Sequence, residues 1–156
     1  MNITPKDYAA TLGRFLIGLL FLLSGLGKLS APSGTIAYIA SSGLPFPELG
    51  YAMALIVELG LTTVFILGYR TRLVATLLGL FTIVTALAFH NQLSDQNQFI
   101  HFFKNISIAG GMFQVAVFGA GAVSIDGWLA GAQETALRPS AGARADATSP
   151  GAIALA

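Results

Sequence analysis

Cysteine is absent from the 156-residue chain. That excludes structural disulfides, CxxC redox chemistry and metal sites built on thiolates. Charge is scarce too: 10% of residues are Asp, Glu, Lys or Arg, against roughly 25% in an ordinary soluble domain. The net charge is +1, and no basic run or basic–aromatic interleaving points to nucleic acid. The short alternating segments that build a membrane β-barrel are missing as well. Hydrophobic residues fill the chain instead, at 54% of the total with a mean hydropathy of +0.74.

Four stretches, 9–29, 49–68, 73–90 and 104–123, approach the ~20 residues needed to cross the hydrocarbon core of a bilayer. They predict an all-α integral membrane protein, an antiparallel four-transmembrane-helix bundle that occupies residues 1–129. The first stretch does not read as a signal peptide. Its apolar region is too long, Arg14 interrupts it, and "LSAPSG" is a poor cleavage site.

Between the first two spans, the Pro- and Gly-punctuated segment 30–48 has room for a short interfacial helix over 35–41. Residues 91–103 read as a second polar loop. Residues 130–156 are small, polar and aperiodic, and predict a disordered cytoplasmic tail. Lys6, Arg70, Arg72, Arg138 and Arg144 fall on one side of the membrane, with Arg14 near it; the other side has only Lys28 and Lys104. The excess of basic residues marks the cytoplasmic face, so both termini are expected inside.

The ~100° rotation per helical residue sorts the polar groups onto faces. Arg14, Gly18, Phe21, Gly25 and Lys28 share one stripe, and Tyr51, Ala54, Glu58, Thr62 and Phe65 another. The third stripe is Arg72, Thr76, Gly79, Ile83, Ala86 and His90, and the fourth Lys104, Ile108, Gly111, Val115, Phe118 and Ala122. Small residues let membrane helices approach closely, and ionisable groups in spans face the bundle interior. The stripes therefore predict a polar interior.

Glu58 lies ~14 Å inside its span at 1.5 Å per residue. A lysine stem reaches toward that depth, so the expected partner is Lys28 or Lys104. At the opposite end Arg14 is expected to form a structural ion pair with Asp126. His90 stands at the level of the two lysines. No HxxxH-type spacing supports a metal site, and none is expected. The candidate ligand-binding residues are Lys28, Glu58, His90 and Lys104, lining an outward-facing polar pocket. "GAGAVSID" at 119–126 follows a span rather than a strand and lacks the spacing of a phosphate-cradling loop.

"RFLIGLLFLLSGLGKL" from Arg14, "ELGLTTVFILGYRTRLVA" from Glu58, "FFKNISIAGG" from Phe102 and the closing "GAGAVSID" together resemble the DoxX-like family of small four-helix bacterial membrane proteins. The resemblance covers residues 11–129. Ala120 stands where members often carry proline. Membership implies a multi-pass protein of the bacterial inner membrane. Some members resemble small subunits of thiosulfate:quinone oxidoreductases or associate with quinol-oxidase and redox-detoxification assemblies. The expected function is thus an accessory membrane subunit of a quinone-linked redox complex, with quinone as the candidate cofactor and a partner subunit carrying the electrons. Such a chain is at most a non-catalytic or quinone-binding part of an oxidoreductase. The alternatives are a small-molecule permease or lipid-interacting protein, and a purely structural scaffold. Ala109 and Gly110 would also suit a homo-oligomer face.

Overall fold

The computed structural model describes residues 3–137, and every regular element among them is helical. Helix α1 spans Pro5–Ser30 and α2 spans Pro32–Ser41. Helix α3 spans Pro47–Leu67, α4 Thr71–Phe89, α5 Gln96–Phe118 and α6 Ile125–Leu137. Proline occupies the first turn of α1, α2 and α3, where its fixed φ suits the helix and its missing N–H is not needed. In α1 the start is reinforced by Asp7, whose carboxylate accepts from the Thr4 N–H at 2.9 Å.

Helix α3 is not uniform. Ile56–Leu61 winds as a π-helix, and the Thr62 hydroxyl donates to the Val57 carbonyl five residues back at 3.1 Å. Single π-turns of this kind re-aim side chains and concentrate at functional sites. Glu58 sits inside this one.

Three of these helices, α1, α3 and α4, are long and apolar enough to cross a membrane. Helix α5 has the length, at 23 residues. Its first half carries Gln96, Asn97, Gln98, His101, Lys104 and Asn105, which dilute its hydropathy. Outward-facing leucines such as Leu12, Leu16, Leu19 and Leu23 on α1 and Leu73, Leu77, Leu80 and Leu87 on α4 remain exposed. So much contiguous apolar surface suits lipid rather than water.

Two helix pairs make the bundle. Helix α1 packs on α3 through its glycines: a Cβ at Gly18 would lie 2.5 Å from Ile66, and one at Gly25 2.6 Å from Leu59. Helices α4 and α5 make the other, closer pair, with Gly79 against Met112 and Phe113. Between the pairs lies a core of Phe21, Phe65, Val74, Ala75, Leu78 and Met112. The expected faces of α1 and α3 are the buried ones, including Arg14, Gly18, Ala54, Glu58, Thr62 and Phe65.

Several expectations need correction. The polar stretch 91–103 is mostly helix, because Asp95 caps α5 by accepting from the Gln98 N–H at 2.9 Å. Helix α5 ends at Phe118 rather than 123, where Gly119 takes φ +85. The faces of α4 and α5 are turned by about one residue: on α4 the expected Gly79 and Ala86 are buried, but Thr71, Ala75, Leu78 and Thr82 join them in place of Arg72, Thr76 and Ile83, and on α5 the buried residues are Ala109 and Met112. Arg72 and Phe118, both expected inside, are exposed. Small residues and the close α4–α5 contact set the rotation, and the charges of Arg72 and Lys104 do not. Part of the predicted tail is also ordered, since α6 continues to Leu137. It is started by the Ser124 hydroxyl, which accepts from the Gly127 N–H at 3.0 Å. Arg138, Arg144 and the rest of the predicted tail lie outside the described residues.

Candidate functional site

The π-turn of α3 and the glycine face of α1 bring two charges together inside the bundle. Lys28 Nζ donates to both carboxylate oxygens of Glu58 at 2.8 Å and to Ser24 Oγ at 2.7 Å. Glu58 is 5% exposed, whereas the Lys28 side chain is 27% exposed. The lysine therefore reaches inward from the rim, and Glu58 is the buried partner. Of the two expected partners for Glu58, Lys28 is the one in contact.

The pair forms part of the wall of a cavity of about 480 Å³. Helices α1 and α3 supply Leu20, Phe21, Met53 and Ala54 on one side. Helices α4 and α5 supply Phe81, Thr82, Thr85, Phe89, Asn105 and Ile108 on the other. Helix α2 covers one end of the cavity, with Tyr38 stacked on Phe89 at 5.6 Å between ring centroids. His90 and Lys104 line the same cavity. Neither touches Glu58. The His90 ring bonds Gln98 Oε1 at 2.8 Å, and Lys104 Nζ lies 2.8 Å from His101 Nδ1. The two imidazoles stack at 5.1 Å. All four candidate ligand residues thus share one cavity, and two of them are in direct contact. Thr82, Thr85, Asn105 and the Tyr38 cover escape a reading based on charge. Ser24, one turn before Lys28, is the one of these polar neighbours that helical spacing would have found.

At the other end of the bundle the expected Arg14–Asp126 ion pair does not form. Arg14 donates to the Ile66 and Val123 carbonyls at 3.0 and 2.8 Å, and to Thr11 Oγ1 at 3.2 Å. Asp126 instead accepts from the Arg70 N–H and Thr71 N–H at 2.8 Å and from the Thr71 hydroxyl at 2.7 Å. Exposed main-chain donors at the turn into α4 compete for the carboxylate, and helix-end carbonyls compete for the guanidinium. The result is two separate staples. One fastens the α5–α6 segment to the α3–α4 turn, where Arg70 is held at φ +46.

Burial pushes the Asp126 carboxyl up, but the Thr71 and Arg70 donors, with the nearby Arg14 charge, hold it below its ordinary value. A lowered folded value means that the ionised carboxylate stabilises the fold at neutral pH. That contribution disappears as pH falls below the ordinary 3.8 and through the lowered folded value. Asp126→Asn is expected to remove about 2 kcal/mol at neutral pH and to flatten the acid limb of stability. Thermal unfolding in detergent, followed by circular dichroism across the acid range, measures this. An identical acid limb in parent and variant would contradict the assignment. Among the described residues, no group of three or more His, Asp or Glu side chains is placed to hold a metal ion.

The fold and cavity define a class: an all-helical membrane protein with a largely apolar pocket that holds an ion pair near one end of the bundle. More narrowly, the chain belongs to the DoxX family, whose model matches residues 9–91. It is 32% identical over 123 residues to the inner membrane protein YqjF of Escherichia coli strain K12, covering 78% of this chain and 92% of that protein. It is 33% identical over 120 residues to the inner membrane protein YphA of the same strain, covering 74% of this chain and 86% of that one. No solved structure matches the chain significantly.

Proposed function

We propose that the chain crosses the bacterial inner membrane four times with both termini cytoplasmic. In this reading it binds a membrane-dissolved quinone in the Lys28–Glu58 pocket, as an accessory subunit of a redox complex. The inner-membrane relatives support the location, and the outward Lys28 and Lys104 against Lys6, Arg70 and Arg72 support the orientation. Helix α5 is then the fourth span, with Asn105 and Lys104 of its polar first half lining the cavity.

One observation carries the ligand reading. Leu20, Met53 and Val84 line the cavity and are 45%, 51% and 61% exposed. The pocket therefore opens sideways, toward lipid. A ligand that enters this way must itself dissolve in the bilayer. The apolar walls suit a flat ring and tail, while Lys104 and the Asn105 amide offer donors to ring carbonyl oxygens. The residues fit a quinone on those grounds. With no cysteine in the chain, electron transfer belongs to a partner subunit, and this subunit would bind and orient the ring. A permease reading is less well supported, because Phe65, Leu78 and Met112 are fully buried and close the bundle toward its other end.

Photolabelling of the purified protein in lipid nanodiscs with an azidoquinone tests this. Label is expected on peptides containing Met53 or Phe81, competed by unlabelled decylquinone and suppressed in a pocket-filling Ala88→Trp variant. Labelling that neither competitor nor variant reduces would overturn the proposal.

A further inference from the structure

The cavity is not electrically balanced. Two lysines and one glutamate line it, and Glu58 is already taken on both oxygens by Lys28. That leaves Lys104 without a carboxylate partner, with His101 Nδ1 as its neighbour at 2.8 Å. Among the described residues, no carboxylate comes within ion-pair distance of Lys104. Residues 31–46, which hold the α2 cover and the loop after it, contain no charged residue, and Glu48, in the first turn of α3, forms no ion pair with Lys104. Asp95, at the start of the Lys104 helix, is occupied in capping that helix. An ammonium has three donors, and the imidazole uses one. Half-buried Asn105, one residue on, makes no side-chain hydrogen bond with the described residues and adds two more donors at the same mouth.

We propose that the ligand of this pocket is a lipophilic acid, an apolar body with one anionic oxygen group, held by Lys104 and Asn105. This deepens the quinone reading and rests on it for the pocket, but it makes a separate demand: charge on the ligand. An anionic oxygen at the cavity mouth forms a charge-assisted hydrogen bond with Lys104. A neutral carbonyl gains a weaker bond and leaves the excess charge unbalanced. The anion comes either from an acidic ring hydroxyl or from a carboxylate on an alkyl chain, and the same donors serve both.

The test uses phosphatidylcholine nanodiscs, which add no anionic lipid. Binding is measured for 2-hydroxy-3-alkyl-1,4-naphthoquinone, for its neutral 2-methoxy ether, and for dodecanoate, all above the pKa of the acids. The hydroxyquinone is expected to bind about tenfold tighter than the ether. Lys104→Gln should erase that difference, and Lys104→Arg should keep most of it. Lys104 is exposed, so both variants should fold, with helical circular dichroism as the check. Equal binding of acid and ether, or a difference that survives in Lys104→Gln, overturns the proposal while leaving the quinone reading intact. Lys104-dependent binding of dodecanoate, with neither naphthoquinone bound, upholds the lipophilic acid and overturns the quinone. Binding of none of the three overturns both.

Discussion

Arg14→Ala is expected to remove most folded protein from the membrane. Arg14 is 1% exposed, and its guanidinium joins three parts of the chain. It donates to Phe65 and Ile66 carbonyls at 3.4 and 3.0 Å, in the last turn of α3, and to the Val123 carbonyl at 2.8 Å in the segment after α5. Carbonyls at a helix C-terminus have no partner within the helix, and a buried unpaired one is costly. Arg14 is therefore a C-terminal cap supplied by a different helix. Its anchoring also explains Gly68, which sits at φ +74 with its missing Cβ directed into the guanidinium, so only glycine fits.

Truncation strands several carbonyls and opens a cavity, a loss of about 3–5 kcal/mol by analogy with broken buried charge networks. That is a large part of a total stability of roughly 5–15 kcal/mol. Arg14→Lys should recover little, because one ammonium cannot reproduce a planar fork that reaches carbonyls on two segments. Thermal unfolding and the yield of monodisperse protein in detergent are the measurements. An Arg14→Ala protein that melts within about 2 °C of the parent would show that the network is dispensable.

The charged residues were the informative part of the sequence, but they served some helices better than others. On α1 and α3 the ionisable residue lies mid-helix or beside glycine and alanine, so charge and small residues mark the same side. On α4 the charge sits at the end, and on α5 Lys104 lies nine residues into the helix, beside the cavity rather than on the packed face. Arg72 and Lys104 point where they can reach solvent or the cavity mouth, while packing follows Ala75, Leu78, Thr82 and Ala109 instead. A stripe drawn through either charge therefore misses the buried face by about one residue.

Reach alone narrowed the partner of Glu58 to Lys28 or Lys104, and the structure selects Lys28. The π-turn that presents Glu58 was not legible, since it depends on how α3 fits the Gly25 surface, where a Cβ would come within 3.1 Å of the Glu58 Cβ. Arg14 and Asp126 show the complementary failure. Opposite charges at one end of a bundle suggest a pair, but main-chain groups at helix ends outbid them, and nothing in the sequence reports an unpaired carbonyl.

The largest coupling is expected between Lys28 and Glu58 themselves. Lys28→Met should be the more damaging single change, because it leaves a 5% exposed carboxylate without its cation, at a cost of about 3–5 kcal/mol. Glu58→Leu should cost less, since Lys28 is 27% exposed and can turn its ammonium to the rim. The Lys28→Met, Glu58→Leu double variant removes both charges from an apolar setting. It should regain stability to within about 1 kcal/mol of the parent, because replacing a whole buried ion pair is often neutral or better. Unfolding of all four proteins completes a double-mutant cycle. A double variant that loses the sum of the two single effects would mean that the pair is not coupled. The folded double variant also separates two roles for the glutamate. If it takes up azidoquinone label as the parent does, Glu58 serves only to hold Lys28 and the α1–α3 contact. If it is as stable as the parent and takes up none, the ion pair belongs to the ligand site, and the π-turn exists to place it there.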